Sequence, residues 1–197
     1  MISKASRTRE FILEKTAPLF NTKGYAGTSM LDLAAATGLT KGAIYGNFES
    51  KEAIALEVFK YSMERVRQVT REKMAAEQSA KGKLKILCDF YGQYVLHSPI
   101  PGGCPMINNA VEADDAQLFL KKTVSGEIKR TVDFIASLIS EGKKCGEFKP
   151  DINAGELAQT FFCAIEGAIV MSRVSSSNAP MRAVLKHCNL ILEQISI

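Results

Sequence analysis

Tryptophan is missing from this 197-residue chain, and histidine occurs only twice, at His97 and His187. The five cysteines (Cys88, Cys104, Cys145, Cys163, Cys188) form no C-x-x-C pair, and with the two isolated histidines they make no zinc spacing. A metal site is therefore not expected, and no cofactor is implied. An odd number of widely spaced cysteines reads as thiols rather than a disulfide frame. No window approaches the roughly 18 uninterrupted apolar residues of a membrane span. The richest stretch, 157–171, is broken by Gln159, Thr160 and Glu166. Residues 1–9 are polar and lack the apolar stretch of a secretory signal, so a cytoplasmic protein without membrane partners is expected. The components of catalysis are also missing: no Ser–His–Asp set, no phosphate loop, and no recognisable carboxylate motif beside either histidine. The chain is not expected to be an enzyme.

What is present is ordinary in bulk and uneven in distribution. With 46% apolar and 23% charged residues the composition is globular. The net charge of +4 becomes informative when divided. Residues 1–73 hold twelve basic and eight acidic side chains, whereas residues 74–197 hold thirteen of each. All the excess positive charge lies in the first third, the end from which to look for a polyanion.

Apolar spacing is helical almost throughout, and alternating strand-like runs are missing. Phe11, Ile12, Leu13, Ala17, Leu19 and Phe20 predict a first helix ending at Gly24, with a bend at Pro18. Two short helices follow, near 29–37 and 41–47. A long helix begins after Ser50, with the ridge Leu56, Phe59, Met63 and Val66. Leu84, Leu87, Cys88, Tyr91 and Val95 mark a fifth helix, stopped by Pro99 and Pro101. Pro-Gly-Gly-Cys-Pro at 101–105 is the strongest breaker in the chain. Stripes at Val124–Ile128–Val132–Ile135–Ile139, Leu157–Phe161–Ile165–Ile169 and Val184–Cys188–Ile191–Ile195 mark the later helices. The expected fold is all-α with about nine helices. A three-helix N-terminal domain (1–50) is joined by a helix at 51–75 to a C-terminal helical bundle (76–197).

The two short helices carry the sharpest signal. A helix-turn-helix needs a small residue where its helices touch, a glycine at the turn and an apolar anchor on the second helix. Ala34, Gly38 and Ile44 have that spacing, with Leu33 and Leu39 facing inward. Thr28 or Ser29 can cap the first short helix and Thr40 the second. Capped N-termini present amides to phosphate. This pattern points to double-stranded DNA.

The run Phe20-Asn-Thr-Lys-Gly-Tyr-Ala-Gly-Thr-Ser29, then Leu33-Ala34, Gly38, Thr40-Lys-Gly-Ala-Ile-Tyr45, Phe48 and Ser50-Lys-Glu-Ala53, resembles the DNA-binding domain of TetR-family transcriptional regulators. The resemblance implies a homodimeric repressor that leaves its operator when a small molecule occupies the C-terminal domain. It also implies phosphate contacts by Thr28, Ser29, Tyr45 and Lys51, and groove contacts where Thr40, Lys41 and Gly42 open the recognition helix. Lys41 is the candidate for a base edge, because a cationic side chain suits guanine acceptors. The chain departs from the family at Gly46-Asn47, where a bulky aromatic and a histidine are common. Behind residue 75, Gly146-Glu-Phe, Leu157-Ala158, Glu166-Gly167 and Arg173 are similar to the family's last two bundle helices, and Gly103-Cys104-Pro105 to one subset of members.

For the sensor half, Tyr91, Tyr94, Met106, Phe119, Phe162 and Glu166 are the candidate lining of a pocket for a largely hydrophobic or aromatic effector. The last two helices have broad apolar faces that would pair two copies of the chain. Cys104 follows two glycines, whose lack of bulk is expected to leave it unshielded, and precedes Pro105 near an expected helix start, so it is a candidate redox thiol. The alternatives are accordingly a thiol-based sensor repressor acting through Cys104, or a helical protein-interaction module. The basic cluster Lys4, Arg7 and Arg9 reads as a solvated arm or a minor-groove reader.

Overall fold

The computed structural model describes residues 4–197, the side chains of Lys4 and Asp115 excepted, so the Lys4 part of the basic arm lies outside the described residues. Among the described residues there are nine helices and no strand: α1 (Lys4–Gly27), α2 (Met30–Thr37), α3 (Lys41–Tyr45), α4 (Lys51–Met74), α5 (Ala80–Tyr94), α6 (Pro105–Asp115), α7 (Leu118–Lys144), α8 (Ala154–Val174) and α9 (Ala179–Ile195). The all-α expectation holds. Periodicity had left α6 unmarked. Pro105 starts it from the first turn, where a missing N–H costs nothing. In α1, the backbone leaves helical dihedrals at Gly24 (φ 71°), while Pro18 lies inside the helix.

The chain forms two compact units. The first comprises residues up to Arg67 together with Pro99–Ser125, and the second comprises Gln68–Ser98 with Gly126–Ile197. In the first, α1, α2, α3 and the start of α4 close over Ile12, Phe20, Leu33, Ile44, Phe48 and Ile54. Leu33 and Ile44 are fully buried, and each contributes about 1.5–3 kcal/mol by leaving water. Ile100 joins this same core from the loop before α6.

In the second unit α8 packs on α9, and both pack on α5. Phe90, Tyr91 and Tyr94 form an aromatic cluster on α5, with ring centroids 5.0–5.5 Å apart. Cys88 and Cys188 are buried together where α5 meets α9. The hydrogen bond to Cys188 and burial push the Cys88 thiol up. The chain end is tied down by an antiparallel bridge between Phe148 and Ser196. A loop carboxylate, Glu147, accepts from the amides of Ala80 and Lys81 at 2.9 Å each and so caps α5. Helix α8 is long and apolar enough to cross a membrane by composition, with mean hydropathy 1.3. Its residues Phe161, Ile165 and Ile169 are instead buried in this unit.

Candidate nucleic-acid interface

Three capped helix starts shape the surface. Ser29, not Thr28, caps α2: its hydroxyl accepts from the Asp32 amide at 3.1 Å, and the Asp32 carboxylate accepts from the Ser29 amide at 2.8 Å. Lys23 Nζ, 2.7 Å from that carboxylate, and the Ser29 hydroxyl hold Asp32 well below the usual carboxylate range. Thr40 caps α3 by accepting from the Ala43 amide at 3.1 Å. Ser50 caps α4 by accepting from the Ala53 amide at 3.0 Å. Between α2 and α3 the chain turns at Gly38, whose φ of 69° disfavours any side chain. Its amide donates to the Ala34 carbonyl at 2.9 Å, which ends α2 and sets the direction of α3.

Those starts leave one face of α3 open. Thr40, Lys41, Gly42, Ala43, Tyr45 and Gly46 are exposed while Ile44 is buried, so the helix is anchored by a single side chain. Thr40 uses only its acceptor in capping, which leaves its O–H to donate outward. A side chain added at Gly42 would meet only Thr40 Oγ1, at 4.0 Å, and one at Gly46 only carbonyls of α3 at 3.5 Å. The fold itself requires neither glycine. Both leave the exposed face of α3 free of side-chain bulk. Tyr45, 47% exposed, borders a groove of about 410 Å³ lined also by Arg9, Asn47, Leu56 and Lys60. Lys51 opens α4 with its ammonium 4.1 Å from the centre of the Tyr25 ring, a cation–π contact that restrains an otherwise flexible charge.

Two expectations for this face change. Thr28 is fully buried and donates to the Gly24 carbonyl at 2.7 Å, so its side chain closes the α1–α2 turn instead of facing a phosphate. The Ser29 hydroxyl is engaged with Asp32 as both donor and acceptor, and a phosphate would have to compete with that carboxylate. Arg9, expected in a solvated or minor-groove-reading arm, is instead held against the first unit. Its guanidinium lies 4.2 Å from the Phe48 ring centre, donates to the Asn47 carbonyl and approaches Glu57 at 3.9 Å. Asn47, where the chain departs from the family pattern, donates from its amide to the Ala43 carbonyl at 2.9 Å and finishes α3. No local sequence signal pairs Arg9 with Asn47, because the contact spans 38 positions.

The sensor candidates are divided between the two units. Tyr91, Tyr94, Phe162 and Glu166 belong to the second unit; Met106 and Phe119 belong to the first. Tyr91, Tyr94 and Glu166 are buried and Phe162 is partly buried. Met106 is buried, and Phe119 packs edge-on to Tyr25 with centroids 4.9 Å apart, which accounts for its position without a ligand. Cys104 is 3% exposed, contrary to the expectation that two glycines would leave it open. The loop is pulled inward by Asn21, whose Nδ2 donates to the Pro101 and Gly103 carbonyls at 2.9 Å each. A maleimide should therefore label exposed Cys145 well before Cys104 in the folded protein, as read by peptide mass spectrometry. Faster labelling at Cys104 would reinstate the thiol-sensor reading. Among the described residues no three His, Cys, Asp or Glu side chains gather into a metal-binding group.

The profile described as "Bacterial regulatory proteins, tetR family" matches residues 12–58, and a "Tetracyclin repressor-like, C-terminal domain" profile matches residues 80–188. The chain is 37% identical to a TetR-family transcriptional regulator of Cytophaga hutchinsonii of known structure, over 100% of this chain and 98% of that one, with a TM-score of 0.93. It is 22% identical over 173 residues to the HTH-type transcriptional repressor DhaR of Mycobacterium sp. (strain GP1), covering 88% of this chain and 86% of the relative. The fold also matches a cysteine mutant of the TetR-family regulator CifR complexed with a 26-base-pair operator duplex, at 19% identity, 94% and 95% coverage and a TM-score of 0.81.

Proposed function

Because the chain belongs to the tetR family of bacterial regulatory proteins and is a DNA-binding transcriptional regulator, we propose that it is a cytoplasmic homodimeric repressor, released from a palindromic operator by a small, largely hydrophobic or aromatic effector. The observation that carries DNA contact to particular residues is the exposed face of α3. Its two glycines answer to no need of the fold, and Tyr45 and Lys51 flank it. Thr40, Lys41 and Gly42 enter the groove, Tyr45 and Lys51 hold phosphates, and Ser29 adds a phosphate contact if it leaves Asp32. Phosphate contacts set register and affinity, whereas base edges set sequence choice. That DhaR is a repressor and that a CifR mutant is seen complexed with operator DNA favour the same role here.

Homodimerisation is supported by apolar side chains left at the surface of α8 and α9: Met171 at 62%, Val174 at 81% and Leu190 at 51% exposure. Pairing two copies through α8 and α9 would cover them and present two recognition helices about one DNA turn apart. An effector then acts by binding the released state more tightly than the DNA-bound one.

Selection from a random duplex library, with and without candidate aromatic effectors, tests this reading. An enriched palindrome is expected, bound by a species of twice the 21.5 kDa chain mass. Recovery of no palindrome would overturn it. On the enriched duplex, Tyr45→Phe and Lys51→Ala should weaken binding to all sequences alike. Lys41→Ala should instead relax discrimination at one position by about 1–3 kcal/mol. Unchanged binding by all three variants would remove these residues from the interface.

A further inference from the structure

The face just described is braced by a carboxylate far from it in sequence. Glu112, on α6, accepts from the backbone amide of Tyr25 at 2.7 Å and approaches that of Ala26 at 3.5 Å. The cradle is formed by Gly24, whose φ of 71° turns the following amides outward, and a Cβ there would collide with the carboxylate. Two contacts lead from this turn toward the proposed DNA-facing elements. The Tyr25 ring carries Lys51 over its face, and the Tyr25 carbonyl accepts from the Thr28 amide at 3.3 Å, one residue before the α2 cap. Phe119 meets the Tyr25 ring edge-on. A second anchor holds α6 in place: Asn108 Nδ2 donates to the Asn21 carbonyl at 2.9 Å and the Gly102 carbonyl at 2.9 Å.

We propose that Glu112 is a positioning residue for operator binding: seated on the Tyr25 and Ala26 amides, it fixes the Tyr25 ring that holds Lys51 toward a DNA phosphate. The inference rests on the DNA contacts proposed above for Lys51. It also makes a claim opposite in sign to simple charge. Removing an acidic group from a DNA-binding unit strengthens attraction to a polyanion. Removing Glu112 should weaken it, because the restraint on Lys51 is lost.

The test uses the full chain and the duplex enriched by the wild-type protein. Glu112→Ala should raise Kd about a hundredfold, the scale of one lost contact to a charged group in each of the two protomers. The slope of log K against log salt should become shallower by about 1.8, as for one phosphate contact fewer from each of the two protomers. Glu112→Gln, which keeps the size and one acceptor, should lie between Glu112→Ala and wild type, and serves if the alanine variant does not fold. In a Lys51→Ala background, Glu112→Ala should have little further effect. Unchanged or tighter binding by Glu112→Ala overturns the proposal. So does weaker binding with an unaltered salt slope and effects that add to those of Lys51→Ala, since that pattern marks a purely structural residue. If the wild-type protein enriches no duplex, it is the DNA-contact reading that fails instead.

Discussion

Phe148→Ala should destabilise the second unit by about 3–5 kcal/mol, the cost of emptying a fully packed aromatic site. The ring is 1% exposed. It lies directly against the Cα of Gly142 on α7, so closely that a Cβ there would collide with it, and Ala80 of α5 closes the same site. The backbone around it is tied as well. The Phe148 amide donates to the Gly142 carbonyl at 3.2 Å, the residue bridges to Ser196, and the Lys149 amide donates to the Ile195 carbonyl at 2.9 Å. The ring thus joins the end of α7 to the start of α5, while the backbone beside it holds the last residues of the chain. Surrounding groups held by these bonds cannot collapse far into the void, which places the cost in the upper part of the usual range. Urea denaturation followed by circular dichroism should show the midpoint falling with little change in slope. Gly142→Ala should reproduce part of the loss, about 1–3 kcal/mol, by forcing the same ring outward. A Phe148→Ala protein within about 1 kcal/mol of wild type would show that the ring does not bind these segments together.

Gly42→Glu should separate stability from DNA binding by moving them in opposite directions. Position 42 is in the first turn of α3, and a side chain there meets open space. Replacing glycine in a helix recovers up to about 1 kcal/mol of backbone entropy, and a carboxylate near a helix N-terminus adds about 0.3–1 kcal/mol. The free protein should therefore melt at the same temperature or slightly higher. Operator binding should fall by at least about 100-fold, because bulk and negative charge enter the surface proposed to meet phosphates, where like charges cost several kcal/mol. Calorimetry on the free protein and fluorescence anisotropy with the selected duplex give the two readings. Retained affinity in a stable Gly42→Glu protein would move the interface off α3.

Much of the first unit was legible because its determinants are local. Ser29, Thr40 and Ser50 cap amides three residues ahead, Gly38 makes the turn, and Leu33 and Ile44 recur at helical spacing. Rules that act within one helical turn can be read along the chain. The same locality misled at Thr28, where a hydroxyl beside a helix start looked available. Its acceptor, the Gly24 carbonyl, exists only because α1 is interrupted at that glycine. It misled again at Cys104, whose glycine neighbours suggest exposure until Asn21 draws the loop inward.

By itself, then, the sequence determined the all-helical class, the helix-turn-helix with its caps and turn, and the segment carrying the surplus positive charge. Tertiary structure alone decided which hydroxyls remain on the surface and that Cys104 is buried. It also decided that the segment from Pro99 to Ser125 packs in the same unit as the helix-turn-helix. The physical reason is sequence separation. Asn21 with Gly103, Asn21 with Asn108 and Tyr25 with Glu112 are partners 82, 87 and 87 positions apart. Such pairs leave no period in the chain, because their geometry exists only once α1 and α6 have met.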